Sequence, residues 1–297
     1  MITAAEAIDR INNVYGRHAG HRALHAKGKF YAATFTATPE ATALCRAGHL
    51  QGDPVPVWVR WSNGGGNPKV KDGAPDVRGI GVSFRLPDGT ATDLLGQTAP
   101  RFPVRTPEDF VELVEAASSA AKLPLFIARH PGSLMTFLAN AKAKSVVSPR
   151  SYAEVTYYPI HAYQWTAADG STSWVRYTIV PTATKADRPP GEYAGRDLLS
   201  EEIAARLEQG PVRMTLRVQV AGAGDDPHDP TSVWGKRART FDAGTITVTG
   251  LDAEREKDGE VVVFDPTRVV DGIGLSEDPI LLYRAAAYSE SVTRRLA

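Results

Sequence analysis

The first stretch of the chain repeats its apolar residues at the spacing of a helix. Ala4, Ile8 and Ile11 are followed by Val14 or Tyr15. Side chains three or four positions apart lie on one face of an α-helix, whereas a half-buried strand alternates apolar and polar residues. The spacing predicts an amphipathic helix at the start of the chain.

Much of the remaining chain shows the alternation that is typical of β-strands. The first strands are expected in KGKFYAATFTAT, VPVWVRWS, RGIGVSFRLPDG and TATDLLG. Further strands are expected on both sides of the turn sequence ADGS and in VRMTLRVQV, GTITVTG and EVVVF. Several short strands joined by turn signals indicate an antiparallel meander or barrel.

Helical patterns interrupt these strands. PEDFVELVEAASSA begins with a proline and two acids, as helices often do, and PGSLMTFLANAKAKS carries Leu134, Phe137 and Leu138 at helical spacing. Two more helices are expected in LLSEEIAARLEQG and LLYRAAAYSESVTRR. The prediction is a single α+β domain over residues 1–297, an antiparallel β-barrel of about eight strands with surrounding helices. A barrel of about that size is filled by side chains or holds one small ligand, so the helical layer is the other place to bury a cofactor.

Charge balance and cysteine content exclude several kinds of partner. The 297 residues include 34 basic and 34 acidic side chains, so no net field attracts nucleic acid or anionic lipid. Cys45 is the one cysteine, which leaves no internal disulfide and no thiolate-rich metal site. The start lacks the features of a secretory signal, and no apolar run of about eighteen residues occurs. We expect a cytoplasmic protein that binds small molecules, without nucleic-acid or membrane partners.

Three histidines near the start offer one candidate site. On a continuous helix, His18, His21 and His25 would share a face. Three imidazoles with an open fourth position are a ligand set for catalytic zinc. Glycines interrupt this segment, however, so three ordinary histidines are the other interpretation.

Two arginines raise the question of what they bind. Arg60 lies in the middle of a predicted strand between two tryptophans, and an inward-pointing guanidinium needs an anionic partner. Arg284 and Tyr288 lie four positions apart in the last predicted helix, which places a guanidinium over a phenol. Taken alone, that pair is compatible with a surface cation–π contact.

Taken in order, segments along nearly the whole chain resemble the haem catalases, and in particular the short catalase-related peroxidases. The matching segments are RALHAKG (22–28), VRWSNGG (59–65), DVRGIGVSF (76–84), DLLGQTAPRF (93–102), IHAYQW (160–165), DPTSVWG (229–235), FDPTRVVDGIGLSEDPIL (264–281) and YRAAAYSESVTRR (283–295). The resemblance implies the catalase-like haem fold as a minimal core. The long N-terminal arm, the wrapping segment and the C-terminal helical or flavodoxin-like domain of large catalases are expected to be absent.

The resemblance implies roles for residues on both sides of a haem. Tyr288 matches the axial tyrosine, the metal ligand, and Arg284 matches the arginine that contacts its oxygen. His25 matches the distal histidine, and Ser62 matches the residue that hydrogen-bonds it. The other matches are three arginines that pair with haem propionates, an aromatic residue on the haem plane and an aromatic on the distal side: Arg22, Arg60, Arg295, Phe110 and Phe102.

One position departs from the family pattern. Large catalases carry an asparagine that helps to hold peroxide, and this chain has Gln97 or Thr98 there. This change and a shorter, wider channel imply a peroxidase that reduces hydrogen peroxide and organic hydroperoxides through a high-valent iron intermediate, with a small electron donor and weak catalase activity. The resemblance also implies one haem per chain, of the b type, and a homodimer.

Two other functions remain open. One is the rearrangement of a fatty-acid hydroperoxide, as in allene oxide synthases of the same haem fold. Those enzymes carry threonine directly before the distal histidine, and this chain has Leu24. The other is a haem carrier or peroxide sensor, which needs Tyr288 but not His25.

Overall fold

The computed structural model describes residues 1–119, 121–235, 237–257 and 260–296. The helices in this part of the chain are α1 Ala4–Tyr15, α2 Pro39–Leu44, α3 Pro107–Ala117, α4 Lys122–Arg129, α5 Leu134–Lys142, α6 Leu198–Gln209 and α7 Pro279–Leu296. The strands are β1 Gly28–Ala37, β2 Val55–Asn63, β3 Arg78–Arg85, β4 Ala91–Gln97, β5 Ala162–Thr166, β6 Thr172–Pro181, β7 Val212–Val220, β8 Thr240–Leu251 and β9 Ile273–Leu275.

These strands form one sheet in the order β4-β3-β2-β1-β8-β7-β6-β5-β9, and all of its pairs are antiparallel. Tyr157 pairs with Ile179 of β6, and its neighbour Tyr158 pairs with Gln97 of β4. This short segment connects the two sides of the sheet, which curls into a half-barrel. The expected α+β architecture is confirmed, with eight longer strands and the short β9 at one edge.

Strand β2 is buried on both faces, and this determines where a site can form. Val59 and Trp61 point into the main core, where Trp61 packs edge-on against Tyr31 at a ring-centroid distance of 5.0 Å. Because side chains alternate along a strand, Arg60 and Ser62 point to the opposite, outer face. Both are buried, although they lie outside the main apolar core. Other parts of the chain therefore cover the outer face of β2.

Helix α1 forms where the apolar spacing predicts it. The Thr3 hydroxyl caps the helix by accepting the N–H of Glu6 at 3.2 Å, and Ala7, Ile8 and Ile11 are its buried residues. α1 packs against α3 and α7, in apolar clusters separate from the main core. These three helices form the layer that carries half of the candidate site.

One predicted strand is wrong. The segment EVVVF, residues 260–264, forms no strand. Instead, Phe264 stacks on Phe30 with ring centroids 5.8 Å apart, and the peptide groups of Val262 bond to the side chains of Arg22 and Glu256. The apolar residues alone predict a strand here. The side chains of Arg22 and Glu256, however, bond to backbone groups that a strand would use to pair with its neighbour.

Three elements were not predicted from the sequence. α2 and β9 are short, and α4 has the sequence KLPLFIAR, with a proline near its start. No helix among the described ranges combines the length and the apolar character needed to cross a bilayer.

Candidate functional site

The start of α7 places a cation beside a phenol. Arg284 Nε donates to the Tyr288 phenol oxygen at 2.7 Å, and Arg284 Nη2 donates to the same oxygen. The four-residue spacing within one helix creates this contact, as predicted. Two N–H donors from a permanent cation make the phenol oxygen electrostatically suited to act as an anionic ligand.

Behind Arg284 lie two residues for which sequence reasoning gave no role. Arg284 Nη1 is 2.9 Å from His161 Nε2, and His161 Nδ1 is 2.6 Å from Asp278 Oδ2. A guanidinium can only donate, so His161 Nε2 accepts and its Nδ1–H donates to Asp278. Burial lowers the pKa of His161, although the Asp278 carboxylate opposes the shift. The imidazole is therefore neutral and has one defined tautomer.

Asp278 also fixes the beginning of the helix. Its second oxygen accepts the backbone N–H groups of Ile280 at 2.8 Å and Leu281 at 3.2 Å. The same carboxylate thus caps α7 and orients His161. IHAYQW and SEDPIL belong to the segments that carry the family resemblance, so their buried histidine and aspartate were the signal available from sequence.

His25 lies against the outer face of β2 and β3, beside Ser62 and Gly79. Its Nδ1 is 3.0 Å from the Ser62 hydroxyl oxygen, as the resemblance implied, and its backbone N–H bonds to the carbonyl of Gly64 at 2.9 Å. His25 has a φ of 55°, in the left-handed region that few side chains adopt. A Cβ at Gly79 would lie 2.5 Å from the imidazole Cε1, so only glycine leaves room for the ring.

The electrostatic surroundings keep His25 neutral. Desolvation, followed by the positive charges of Arg60 and Arg284, lowers its pKa to about 3. In the tautomer that donates Nδ1–H to Ser62, the lone pair of Nε2 is available to accept a proton. Helix α7 also contacts the segment that holds His25. A hydrogen bond of 3.4 Å from Ala23 N–H to the Ser291 hydroxyl joins the His25 segment to that helix.

The alternative of a three-histidine zinc site is not supported. The segment that holds His18, His21 and His25 is not helical. His18 bonds to the carbonyl of Tyr15 at 3.0 Å, and His25 bonds to Ser62. Among the described residues, these three histidines do not form a group of converging ligand atoms.

The three arginines that were expected to hold propionates lie together. Arg22 forms a bidentate ion pair with Glu256, and Arg295 reaches the same carboxylate at 3.2 Å. Arg60 donates to the carbonyl of His25 at 2.9 Å, and desolvation followed by the charge of Arg22 lowers its pKa to about 9. Among these described side chains, three positive charges lie near the carboxylate of Glu256.

The two phenylalanines also lie at this site. Phe102 and Phe110 stack with ring centroids 5.8 Å apart. Phe110 lies on α3 and packs in the same apolar cluster as Ala23 and Leu24, directly before His25. Their positions agree with an aromatic wall beside the histidine.

Neither polar side chain at the divergent position is free. Gln97 folds back on Ala99, with its amide nitrogen 2.8 Å from the carbonyl and its amide oxygen 2.8 Å from the backbone nitrogen. The Thr98 hydroxyl accepts from Arg78 N–H at 3.0 Å and donates to the Ser145 carbonyl at 2.6 Å. Both side chains therefore form hydrogen bonds to nearby backbone groups.

The residues of the site fit a haem on two independent counts. The phenol oxygen of Tyr288, supported by Arg284, has the chemistry of an anionic iron ligand. The arginine cluster has donors that one carboxylate does not use, since Arg60 Nε and Arg295 Nε are buried without a partner in the described part of the chain. Propionates are the anions that such donors bind.

Comparison with known proteins agrees with this geometry. The family model described as Catalase matches residues 1–297. The chain is 46% identical over 300 residues to a catalase-related peroxidase of Mycolicibacterium paratuberculosis, with 99% of this chain and 95% of the relative covered. It is 28% identical over 306 residues to a catalase-related peroxidase of Synechococcus elongatus, with coverages of 99% and 89%. A catalase of Methanosarcina barkeri is 26% identical over 314 residues, which cover 97% of this chain and 61% of that protein. The chain belongs to the catalase family, whose members are oxidoreductases that act on peroxide and use haem.

Proposed function

We propose that this protein is a haem peroxidase that reduces hydrogen peroxide and organic hydroperoxides with a small-molecule electron donor, and that has weak catalase activity. One observation carries the proposal. Arg284 holds a phenol oxygen on α7, and Ser62 contacts a neutral imidazole in the segment that is joined to α7 through Ala23 and Ser291. An iron ligand and a proton acceptor are the two groups that peroxide reduction at haem requires.

The cofactor we propose is one haem b per chain, bound without a covalent link. Tyr288 would ligate the iron, and Arg22, Arg60 and Arg295 would hold the propionates. Cys45 is not proposed to form such a link, because its thiol is buried and donates to the carbonyl of Gly272 at 3.3 Å. When bound, the haem supplies the redox-active iron at which the O–O bond of a hydroperoxide is broken.

The protein side chains support that chemistry by holding and moving charge. Arg284 donates two N–H groups to the Tyr288 oxygen, which stabilises its anionic form. His161 accepts from Arg284 and donates to Asp278, and this keeps the guanidinium in place. The buried pair of Asp278 and His161 holds the partly buried Arg284, which makes the ligand geometry rigid.

On the opposite side, His25 is proposed as the group that moves the proton. Its Nε2 accepts the proton of the hydroperoxide and then delivers it to the departing oxygen, so that water or an alcohol leaves rather than an alkoxide. Ser62 would accept the N–H of Nδ1 in the tautomer that leaves Nε2 unprotonated. The depressed pKa keeps this nitrogen free throughout the neutral range.

The position of Gln97 favours peroxidase over catalase activity. Oxidation of a second hydrogen peroxide molecule requires that this small substrate be held over the iron. The Gln97 amide is bonded through both its nitrogen and its oxygen to Ala99, which turns the side chain toward its own backbone. An external electron donor, which need not be held over the iron in this way, is therefore the preferred reductant.

The proposal is tested by a haem titration followed by turnover assays. The purified protein should take up haem with a tyrosinate-type ferric spectrum and should consume cumene hydroperoxide only when a dye reductant is present. His25→Ala should keep the haem and lower the rate of hydroperoxide reduction by about 10²–10⁴-fold. His21→Ala is the matched control, because His21 is exposed in the same segment.

Other outcomes would contradict parts of the proposal. A protein that does not bind haem would contradict it entirely, and normal haem binding by Tyr288→Phe would contradict the ligand assignment. Haem binding with undiminished turnover in His25→Ala would point to another proton acceptor. Haem binding without any turnover in the wild-type protein would favour the carrier or sensor function.

A further inference from the structure

The carboxylate of Glu256 occupies the centre of the arginine cluster. Arg22 Nη1 donates to its Oε2 at 2.9 Å, Arg22 Nη2 donates to Oε1, and Arg295 Nη1 reaches Oε1 at 3.2 Å. Burial opposes ionisation of this group, but the charges of Arg22, Arg60 and Arg295 lower the pKa of Glu256 overall. The carboxylate is therefore charged and is the anion that these guanidiniums hold.

The side chain of a glutamate is chemically a propionate. Two methylene groups and a carboxylate extend from Cα, just as they extend from the edge of a porphyrin. Glu256 thus presents to Arg22 and Arg295 the same anion, on a tether of the same length, that a haem would present. Both terminal nitrogens of Arg22 are already engaged, so a haem propionate cannot form a bidentate pair with Arg22 until Glu256 releases it.

From this geometry, and on the basis of the haem proposed above, we propose that Glu256 is an intramolecular competitor for a haem propionate. In the haem-free chain it neutralises part of the arginine cluster, and haem uptake exchanges one carboxylate for another. The exchange is close to balanced, because the same donors bind chemically equivalent anions. The residue therefore controls how fast and how tightly the site accepts haem.

The backbone around Glu256 is organised about this carboxylate. Glu256 has a φ of 62°, which is unfavourable for a residue with a side chain. Its backbone N–H donates to Glu260 Oε2 at 2.9 Å, and the N–H of Val262 donates to Glu256 Oε1 at 3.3 Å. Arg22 Nη2 also donates to the Val262 carbonyl at 2.7 Å. Once the carboxylate leaves, the N–H of Val262 loses its acceptor, so withdrawal of Glu256 is coupled to a rearrangement of this loop.

The cluster has capacity beyond one carboxylate. Arg60 Nε and Arg295 Nε are buried and bond to no group within the described ranges. Within the described ranges, three guanidiniums lie near the carboxylate of Glu256, which leaves an excess of two positive charges among these four side chains. This excess favours the entry of a dianionic haem, and Glu256 then limits entry by holding the donors of Arg22.

The test measures haem uptake by the haem-free protein and does not depend on enzymatic activity. Haemin or haemin dimethyl ester, which has no free carboxylates, is mixed with wild-type, Glu256→Gln and Glu254→Gln protein, and the rise of the Soret band is followed. Glu254 is the matched control, since it is exposed on the same loop, pairs with Lys257 at 2.5 Å and loses the same charge on substitution. Circular dichroism of each haem-free protein checks the fold.

We expect Glu256→Gln to take up haemin about tenfold faster than wild type, because the competing charge-assisted hydrogen bonds are weakened. Glu254→Gln should match wild type, and haemin dimethyl ester should bind all three proteins at similar rates. Unchanged or slower haemin uptake by Glu256→Gln overturns the proposal, as does an equal gain with the dimethyl ester.

Two safeguards separate the remaining outcomes. Glu256→Asp keeps the charge but is too short to bridge Arg22 and Arg295 from the same backbone position, so it should also accelerate uptake if Glu256→Gln does not fold. Wild-type uptake of haemin with no effect of either variant removes the role of Glu256 and leaves the haem proposal standing. Failure of every protein to bind haemin overturns both.

Discussion

His161 Nδ1 and Asp278 Oδ2 lie 2.6 Å apart although their residues are separated by 117 positions in the chain. This buried contact sets the tautomer of His161, and His161 in turn accepts a hydrogen bond from Arg284. The orientation of the guanidinium beside Tyr288 therefore depends on a carboxylate that does not touch the phenol. We regard Asp278 and His161 as positioning residues for the iron ligand.

Asp278→Asn should disturb this chain while keeping the helix cap. An asparagine oxygen can still accept the N–H groups of Ile280 and Leu281. Its amide nitrogen, however, faces a ring N–H of His161, and reversing the tautomer would set an N–H against Arg284. We expect a shifted ferric charge-transfer band and a rate of hydroperoxide reduction lowered by about tenfold, with haem still bound.

Absorption spectra and stopped-flow assays of the loaded protein measure both effects. Asp271→Asn is the control, because Asp271 pairs with Arg46 at the surface and lies in the same segment of the sequence. A normal spectrum in Asp278→Asn, accompanied only by a lower melting temperature, would mean that Asp278 stabilises α7 but does not position Arg284 beside Tyr288.

A single methyl group at Gly79 should displace the imidazole of His25, the proposed proton acceptor. The added Cβ would lie 2.5 Å from His25 Cε1 and 2.9 Å from the Ser62 hydroxyl oxygen, and strand pairing with Ser62 prevents the backbone from moving away. We expect Gly79→Ala to retain haem, because Tyr288 is untouched, and to lose at least about 10²-fold in hydroperoxide reduction.

Gly132→Ala provides the comparison for Gly79→Ala, because a Cβ there meets no atom within 4 Å. Full activity in Gly79→Ala would show that the site tolerates a displaced His25. Loss of haem together with activity would show that the substitution acts on the fold instead.

The sequence predicted elements whose signals are local. The alternation in β2 and the four-residue spacing of Arg284 and Tyr288 were sufficient to place a strand, a helix and one contact. The partners of these residues were not predictable, because Glu256 reaches Arg22 across 234 positions and His161 reaches Arg284 across 123. The spacing of apolar and polar residues along the chain carries no information about contacts between such distant positions. The strand wrongly predicted at residues 260–264 has in part the same cause, since Arg22 bonds to the carbonyl of Val262 across 240 positions.

Buried neutral histidines should make the fold sensitive to acid. Burial lowers the pKa of His49 to about 3, and its ring stacks on Phe84 with centroids 4.6 Å apart. An unfolded histidine titrates near about 6.5, so between these values the unfolded chain binds more protons. Stability is then complete above about pH 6.5 and is lost as the pH falls toward 3, by about 1.4 kcal/mol per pH unit for each such group.

His49→Leu should remove one of the protons that the chain takes up when it unfolds in acid. We expect the free energy of unfolding, measured with urea on the haem-free protein between pH 5 and 7, to fall less steeply with acid than in wild type. The difference in slope should approach one proton, while His25 continues to contribute in both proteins. Parallel pH dependences would mean that His49 does not titrate on unfolding.

Gln97→Asn should move the balance of activities toward catalase. An asparagine readily accepts a hydrogen bond from the N–H two residues ahead, in this chain that of Ala99, through its amide oxygen. It is one methylene shorter than glutamine, so its NH₂ group should no longer reach the Ala99 carbonyl that Gln97 now bonds at 2.8 Å. The freed donors can then hold hydrogen peroxide. We expect oxygen evolution to rise several-fold relative to dye oxidation at equal haem content, measured with an oxygen electrode and a spectrophotometer on the same sample. Gln97→Glu is the comparison, because it has no NH₂ group to offer. If the ratio is the same in Gln97→Asn and wild type, the local bonds of Gln97 do not determine the preference for an external reductant, and the width of the channel becomes the better explanation.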